Sequence, residues 1–471
     1  MKKSIACALV ATLQVISPAV FAQQATPGPM QLQLRDVYRE LVEINTTDSS
    51  GSCTDAARAM GERLRKAGLA DTDVQVLVPP GAPKKGNLVA RFRGTGAKKP
   101  LLLLAHIDVV EAKREDWKRD PFKLVEEDGH FYARGAADDK AMAAAFVANL
   151  MRFQSEKYRP DRDVVLALTC DEEIIPSPAN GVEYLLKNHR ALLDAELALN
   201  EGGGGQLDKS GKRVRMTIQA GEKVFQSYRL EVTNPGGHSA QPRKDNALYD
   251  LARGLARLGD FDFPAKLLPV TRASFARMAD ILGGAVGQDL KLVAGDPPDV
   301  EAIARLSRNP SYNAQLRTTC VATMADAGEA TNALPQRARA VVNCRVLPGE
   351  SVTEVTSTLV RVLDNERITV TPMGEAVLSP PAPLDERILG PVKAVSDAMW
   401  PGVPLVPTMS AGATDSRFLN NAGIPTYGVS GMFNESESAG VHALNERLPV
   451  LSLYEGQEFL YRLVKTLAGG R

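Results

Sequence analysis

The sequence predicts an α/β fold, in which a mostly parallel sheet is flanked by helices and interrupted by a smaller α+β domain. From about residue 30, short apolar runs that end in polar or glycine residues alternate with segments of helical periodicity. Strands that alternate with helices form largely parallel sheets covered on both faces. Beyond about residue 213, amphipathic strands are interleaved with helices, which is typical of an α+β unit.

The composition is that of a globular protein. The chain has 471 residues, of which 44% are hydrophobic and 24% charged, with 56 basic and 56 acidic side chains. A chain of this length is expected to form two or more domains. The zero net charge does not indicate a nucleic-acid partner, and no run in the body of the chain is apolar enough to cross a bilayer.

The first 22 residues have the pattern of a cleaved secretory signal. Two lysines precede a short apolar stretch, and Ala22 ends a cleavage site of small residues. A membrane anchor is the alternative, but the stretch is short and is interrupted by Gln14 and Pro18. We therefore expect a bacterial protein that is processed after Ala22 and is periplasmic or secreted, with no membrane span in the mature chain.

Four cysteines remain in the expected mature chain: Cys53, Cys170, Cys320 and Cys344. An oxidising compartment permits disulfides, but four cysteines allow three full pairings and the sequence does not select one. No CxxC pair indicates a structural zinc site.

The catalytic domain is predicted in two parts, residues 30–212 and 376–471. In the first part, helical segments are expected at 32–44, 53–69, 140–154 and 180–193, and strands at 73–78, 87–94, 99–108, 163–173 and 195–205. The inserted domain is predicted for 213–375. Within it, a mostly helical stretch at about 263–316 is interpreted as a further insertion.

Most of the residues that could carry chemistry follow predicted strands. Ligands bind at the carboxyl ends of strands in parallel sheets, and imidazole with carboxylate groups suits zinc, manganese or cobalt. Each residue alone also has an ordinary interpretation, such as a helix cap or a solvated loop. The candidates are His106, Asp108, Asp138, Asp139, Asp171, Glu172, Glu173, Glu201 and His442.

The order of six short motifs resembles that of the M20 family of metallopeptidases. They read "AHIDVV", "RGAADDK", "CDEE", "NEGG", "PGGHSAQP" and "GVHALNE", and the resemblance extends from about residue 32 to the C-terminus. It implies a zinc exopeptidase-like catalytic domain with an inserted lid and dimerisation domain. It also implies two divalent metal ions per chain, with zinc expected and cobalt or manganese as alternatives.

The resemblance assigns the metal ligands by position. Asp138 would bridge both ions, and the peptide bond after it would be cis. His106 and Glu201 would complete one metal site. Glu173 and His442 would complete the other.

Further roles follow from the same resemblance. Asp108 would orient the first metal-binding histidine, and Glu172 would be the general base that takes a proton from the metal-bridging water. His238, in the lid, would stabilise the oxyanion in the partner subunit of a homodimer, although the 263–316 insertion could block or replace that contact. Asn332 would contact substrate and Arg345 would bind a terminal carboxylate.

These observations predict an exported metal-dependent exopeptidase that cleaves a peptide bond next to a free carboxylate, as a dipeptidase or carboxypeptidase does. An N-acyl amino acid amidohydrolase using the same site is the alternative, so the substrate is a small peptide or an N-acyl amino acid. A non-catalytic binding protein on this fold is disfavoured, because all five ligand positions and the base are filled.

Overall fold

The computed structural model describes residues 26–435 and 440–470, so the predicted signal segment 1–22 lies outside the described residues. Within these ranges we find no helix with the length and hydropathy of a membrane span. The helices are α1 (Pro29–Glu43), α2 (Cys53–Lys66), α3 (Lys140–Ser155), α4 (Gly181–Asn188), α5 (Arg190–Leu193), α6 (Ala247–Gly259), α7 (Pro269–Leu282), α8 (Gly284–Ala294), α9 (Val300–Leu306), α10 (Pro310–Leu316), α11 (Val352–Leu363), α12 (Glu386–Met399), α13 (Ser416–Asn421) and α14 (Val450–Ala468). The strands are β1 (Val74–Leu77), β2 (Asn87–Phe92), β3 (Leu101–His106), β4 (Val125–Glu127), β5 (His130–Tyr132), β6 (Val164–Thr169), β7 (Leu197–Asn200), β8 (Gly205–Leu207), β9 (Arg213–Glu222), β10 (Val224–Thr233), β11 (Gly237–His238), β12 (Thr319–Ala327), β13 (Ala333–Leu334), β14 (Arg337–Val346), β15 (Thr369–Met373), β16 (Leu405–Ser410), β17 (Thr426–Gly428), β18 (Phe433–Glu435) and β19 (Arg447–Pro449).

A large sheet confirms the predicted fold class. Its strands lie in the order β1-β2-β6-β3-β7-β17-β9-β8-β18, and β16 also pairs with β9. The centre, from β6 through β3 and β7 to β17, is parallel, whereas β1 and β2 add an antiparallel edge. Strands β3 and β6 are buried along their whole length, as expected for strands covered on both faces.

Helices cover both faces of this sheet. On one face α3 packs against α1 and α14, and its run of alanines lets the neighbouring helices approach closely. Helix α3 is buried on nearly every side, so it is a core helix whose N-terminus reaches the carboxyl edge of the sheet. On the other face, residues of α4 and α13 pack against β3 and β6, including Val182, Leu185 and Leu419.

A smaller antiparallel sheet lies within the segment that the sequence predicts as the inserted domain. Its strands lie in the order β12-β14-β10-β15, and α6 and α11 pack against it. Buried and less buried residues alternate along β10 and β14, as expected for a sheet with one face covered. Strand β12 is an edge strand and is largely exposed.

The second sheet begins with β10 at Val224 and not at residue 213, where the sequence predicts the inserted domain to begin. Strand β9, which the sequence predicts to belong to the inserted domain, pairs with β8, β16 and β17 of the large sheet. An amphipathic strand has the same period of two in either sheet, so its pattern did not reveal its partner. The helices of the predicted further insertion also lie at the large sheet, where α7 packs against β16.

Two disulfides supply the pairing that the sequence left open. Cys53 bonds to Cys170, which links the start of α2 to the residue after β6. Cys320 bonds to Cys344, its directly opposite residue on the neighbouring strands β12 and β14.

Candidate metal centre

The first group of candidate ligands lies where β3 and its neighbour β7 end. His106 is the last residue of β3 and is 2% exposed. Its Nε2 lies 2.9 Å from Asp138 Oδ1 and 3.9 Å from Oε1 of Glu201, which follows β7 directly. Potential ligand atoms of these three residues all lie within 4.8 Å of one another. They could therefore hold one metal ion.

The second group uses the other oxygen of the same aspartate. Asp138 Oδ2 lies 3.2 Å from His442 Nε2, and that nitrogen lies 2.9 Å from Glu173 Oε2. The two groups share only Asp138, whose two oxygens each face a different histidine. The Asp138–Asp139 peptide bond is cis, as the resemblance implies. All five predicted metal ligands thus lie together at one edge of the sheet.

The donor set fits two divalent cations. Its three carboxylates lie at short range in a largely buried setting, where their mutual repulsion and loss of hydration favour a bound cation. Imidazole and carboxylate ligands suit zinc, cobalt or manganese. Paired metal sites need a carboxylate that can contact both ions, and Asp138 occupies that position.

Burial and mutual contacts set the charges of these groups. Burial raises the pKa of Glu201 well above its ordinary value. Burial also opposes ionisation of Asp138, but hydrogen bonds with His106 and His442 together lower its pKa. Contacts with Asp138 and Glu173 raise the pKa of His442 to about 10. Because metals bind deprotonated ligands, cations would displace these protons and metal binding would weaken at low pH.

Glu172 lies beside the ligands but belongs to neither group. It is 8% exposed, and burial raises the pKa of its carboxyl well above the ordinary value. Its Oε1 is 3.9 Å from Nη1 of Arg417. A buried carboxylate with an elevated pKa is suited to accept and return a proton.

Asp108 holds the backbone of the adjacent Glu172 and Glu173, a role that the sequence did not indicate. Its Oδ1 and Oδ2 accept hydrogen bonds from the backbone N–H groups of Glu172 and Glu173, at 3.2 and 3.1 Å. His106 Nδ1 lies 3.1 Å from the backbone oxygen of Asp108 and 3.6 Å from its carboxylate. Asp108 therefore contacts the histidine ring chiefly through its backbone, while its carboxylate holds the turn that carries the acidic pair.

His238 and Asn332 lie together in the inserted domain. Strand β11, which ends at His238, pairs with β13, and the Ser239 N–H donates to the Asn332 backbone oxygen at 3.0 Å. Both residues are exposed. Within residues 26–435 and 440–470, no hydrogen bond or ion pair joins either side chain to the metal ligands. The structure therefore brings these two residues to each other but not to the metal centre.

Arg345 lies on the side of the centre occupied by Glu172. Its guanidinium is stacked over the ring of Phe225, 4.8 Å from the centroid, and its Nε donates to Asn343 at 3.2 Å. Burial and the neighbouring positive charge of Arg417 lower the pKa of Arg345. Phe225 and Arg417 also line one cavity of about 580 Å³. The two cations therefore lie near each other.

Sequence reasoning missed Glu446. This residue is fully buried. It accepts hydrogen bonds from the Arg134 guanidinium at 2.8 Å and from the backbone N–H groups of Gly135, Ala137 and Asp138 at 3.0, 2.7 and 3.0 Å. It thereby holds the turn that presents the shared aspartate. The only indication in the sequence was that an acidic residue ends the last motif, and an acidic residue at that place is equally typical of a solvated loop.

Comparisons with known proteins agree with this geometry. Residues 102–466 match Peptidase family M20/M25/M40. N-fatty-acyl-amino acid synthase/hydrolase PM20D1 of Homo sapiens is 28% identical over 375 residues, covering 78% of this chain and 74% of that protein. Probable carboxypeptidase S-like 2 of Dictyostelium discoideum is 28% identical, covering 80% and 74%.

A solved structure has the same fold. The M20 family metallo-carboxypeptidase Sso-CP2 from Sulfolobus solfataricus superposes with a TM-score of 0.67 at 20% identity, covering 93% of this chain and 99% of that one. The family match covers most of the present sequence, and the candidate ligands occur within it. This chain therefore belongs to peptidase family M20/M25/M40 and is a hydrolytic enzyme.

Proposed function

We propose that this protein is an exported two-metal dipeptidase or carboxypeptidase, which hydrolyses an amide bond next to a free carboxylate. The observation that carries the proposal is the pair of ligand groups that share Asp138, with Glu172 buried beside them. Divalent ions bound by these groups, with zinc preferred, would polarise the amide carbonyl and acidify a water molecule. The two disulfides support export, because disulfides persist in oxidising compartments.

Glu172 acts as the general base and then as the general acid. It takes a proton from the attacking water and returns that proton to the leaving nitrogen of the amide. Its raised pKa favours the second transfer, and bound cations nearby would lower that pKa enough for the first. Asp108 keeps Glu172 in place by binding its backbone N–H.

Arg345 binds the free carboxylate of the substrate. A guanidinium can hold a carboxylate through two parallel hydrogen bonds. Two observations support this role: within the described ranges no ion pair with a protein carboxylate engages Arg345, and Arg417 is a second cation near it. Asn332 contacts the substrate when the inserted domain closes over the site.

His238 stabilises the oxyanion of the tetrahedral intermediate. Its side chain is exposed and unengaged with the metal centre, so it reaches a substrate only after closure of the inserted domain or from a second copy of the chain. The exposed edge strand β12 carries Val321 and Met324, which are 61% and 68% exposed. This edge supports pairing into a homodimer.

A second candidate function is hydrolysis of N-acyl amino acids at the same centre. The observation that favours it is the relative in Homo sapiens, whose name is N-fatty-acyl-amino acid synthase/hydrolase. The relative in Dictyostelium discoideum bears a carboxypeptidase name instead. Both reactions cleave an amide that carries a free carboxylate on its amine side, so they differ only in the acyl portion.

One experiment separates the two functions. The zinc-loaded protein would be assayed on Xaa-Leu dipeptides and on the matching N-acetyl-Leu, with and without a chelator. Faster dipeptide cleavage that the chelator abolishes would support the dipeptidase or carboxypeptidase. Preference for the acylated amino acid would establish the second candidate. If neither is cleaved when both metal sites are filled, the proposed function is wrong.

A further inference from the structure

A cavity of about 530 Å³ opens beside the first group of metal ligands. Its wall includes Asp138 and Glu201, the glycine run 202–205, and the apolar side chains of Met142 and Met432. The glycines let the backbone border the cavity without side chains that would fill it. The cavity is therefore large enough for a sizeable substrate group and lies directly against the metal centre.

Arg215, on β9, also lines this cavity. Its Nη1 contacts the thioether sulfur of Met278 at 2.6 Å, and its Nε is buried and has no hydrogen-bond partner in the described part of the chain. Within residues 26–435 and 440–470, no carboxylate oxygen lies within 4.0 Å of its guanidinium. A partly buried guanidinium that stays charged and has no anion is costly, and burial lowers the pKa of Arg215 accordingly.

The acidic side chains around the cavity do not compensate this charge. Glu435 is engaged by Arg447 at 2.5 Å. Oδ2 of Asp139 is buried and has no hydrogen-bond partner among the described residues, so it does not bind Arg215. The carboxylates of the metal ligands would be balanced by the cations that they hold. Among the residues that the structure describes, no carboxylate pairs with the guanidinium of Arg215, and an anionic ligand would complement it.

If Arg345 binds the free carboxylate of the substrate, the cavity with Arg215 lies on the acyl side of the scissile amide. Arg345 and Arg417, which the proposed function assigns to the free carboxylate, are near Glu172 and the cavity that contains Phe225. The cavity with Arg215 shares no lining residue with the cavity that contains Phe225. It borders the first ligand group, through Asp138 and Glu201. A substrate whose carboxylate lies at Arg345 would place its acyl portion towards Arg215.

We propose that Arg215 is a specificity residue that binds a carboxylate on the acyl portion of the substrate. The preferred substrates are then peptides with an N-terminal aspartate or glutamate, or amino acids acylated by a dicarboxylic acid. This inference rests on the proposed function, because it assumes that an amide is cleaved at the metal centre. Both substrate classes have an acyl group that carries a second carboxylate, distant from the amide.

The test compares isosteric substrates that differ in one charge. Values of kcat/KM would be measured on Glu-Leu against Gln-Leu, and on N-glutaryl-Leu against N-pentanoyl-Leu. A charge-assisted hydrogen bond predicts a preference of about 10- to 100-fold for the acidic member. The pair with the larger ratio identifies whether the acyl group is an amino acid or a dicarboxylic acid.

Variants assign the preference to Arg215. In Arg215→Met the ratio of acidic to neutral substrate should fall to about one, through a higher KM for the acidic member, whereas Arg215→Lys should retain part of it. The matched control is Arg213→Met, on the same strand, whose partner is Glu455 and which should keep the wild-type ratio. Zinc content and melting temperature would show that each variant is folded.

The outcomes separate this inference from the function on which it rests. Hydrolysis without preference for the acidic substrates, or a preference that survives in Arg215→Met, would overturn the role of Arg215 and leave the proposed function standing. If none of the four substrates is cleaved, the proposed function fails. In that case binding of glutarate by calorimetry, in wild type against Arg215→Met, decides whether the arginine binds a carboxylate.

Discussion

The backbone N–H of Asp138 donates a hydrogen bond to Oε1 of Glu446, which lies 308 positions later in the chain, at 3.0 Å. The same carboxylate is paired with Arg134, and both charged side chains are buried. A residue outside both groups of candidate ligands thus fixes the backbone of the aspartate that the two groups share.

Replacing Glu446 by glutamine should damage both stability and metal binding. The substitution leaves the buried guanidinium of Arg134 without an anion, which costs about 3–5 kcal/mol of unfolding free energy. It also loosens the turn that presents Asp138, so zinc binding should weaken about 10- to 100-fold. Urea unfolding and zinc titration measure the two effects. The control Glu455→Gln, which removes the half-buried partner of Arg213, should cost no more than about 1 kcal/mol. Equal losses in the two variants would contradict the positioning role.

The adjacent glutamates should respond differently to the same change. Glu172→Gln should lower kcat by about 10²- to 10⁴-fold, because the proton acceptor is lost, and should retain two zinc ions per chain. Glu173→Gln should bind one zinc ion fewer, since its carboxylate contacts His442 in the second ligand group. Metal analysis of the purified variants and steady-state kinetics decide this. Full activity in Glu172→Gln, or two ions in Glu173→Gln, would refute the division of roles.

Local sequence predicts positions at element ends for some of the candidate ligands, whereas the resemblance to the M20 family supplied the full set of five. His106 and Glu201 end or follow buried apolar strands, and Asp138 precedes a helix. In a parallel sheet such positions converge on one edge, so the motif order was enough to expect their convergence. The structure places all five within the two groups.

Tertiary partners were beyond the reach of the same reasoning. Glu446 accepts hydrogen bonds from N–H groups that lie about 310 positions earlier in the chain. The residues next to it in the sequence do not indicate these partners. The sheet to which β9 belongs, the two cysteine pairings and the exposure of His238 likewise depend on how separate elements pack. Periodicity describes which side of an element is buried but not what lies against it.

His238→Ala should reduce turnover without affecting the fold. The side chain is exposed, and among the described residues its only hydrogen bond is the one that its Nδ1 accepts from the N–H of Ala240 in its own loop. The unfolding free energy should therefore change by no more than about 0.5 kcal/mol. Loss of an oxyanion donor should lower kcat about 10²- to 10³-fold with unchanged zinc content. Ser239→Ala, at the exposed neighbouring position, serves as the control. If kcat is unaltered in His238→Ala, the proposed oxyanion role is wrong.

The two disulfides should contribute unequally to stability. Cys53 and Cys170 are 117 positions apart, whereas Cys320 and Cys344 are 24 apart. The loop-entropy relation therefore gives the first about 1.4 kcal/mol more stabilisation than the second. Denaturant unfolding of the two double-alanine variants measures the difference. The first variant should also bind zinc more weakly, because Cys170 precedes the turn with Glu172, and a greater loss in the second variant would contradict the prediction.

Lys223 lies at the crossing between the two sheets, in the single residue that separates β9 from β10. It is fully buried, and its Nζ donates to the Arg317 backbone oxygen at 2.7 Å and to Thr319 Oγ1 at 3.1 Å. Burial, helped by the positive charge of Arg345, lowers the pKa of Lys223 from 10.5 to about 7.

Lys223 should therefore make stability rise with pH above neutrality. Between pH 7 and 10.5 the unfolded chain holds the Lys223 proton and the folded protein does not, so the unfolding free energy increases by up to about 1.4 kcal/mol per pH unit. Lys223→Met should remove about 1.4 kcal/mol per pH unit of the slope in urea unfolding of the zinc-loaded protein from pH 7 to 10, and Lys140, whose pKa burial also lowers to about 7, should account for a second contribution of the same sign. In Glu222→Gln the slope above pH 7 should persist. Burial raises the pKa of Glu222 only to about 7, so this residue changes the unfolding free energy below pH 7, where it makes stability decrease as the pH rises. A slope that is the same in Lys223→Met as in the wild type would contradict the titration of Lys223 in this window.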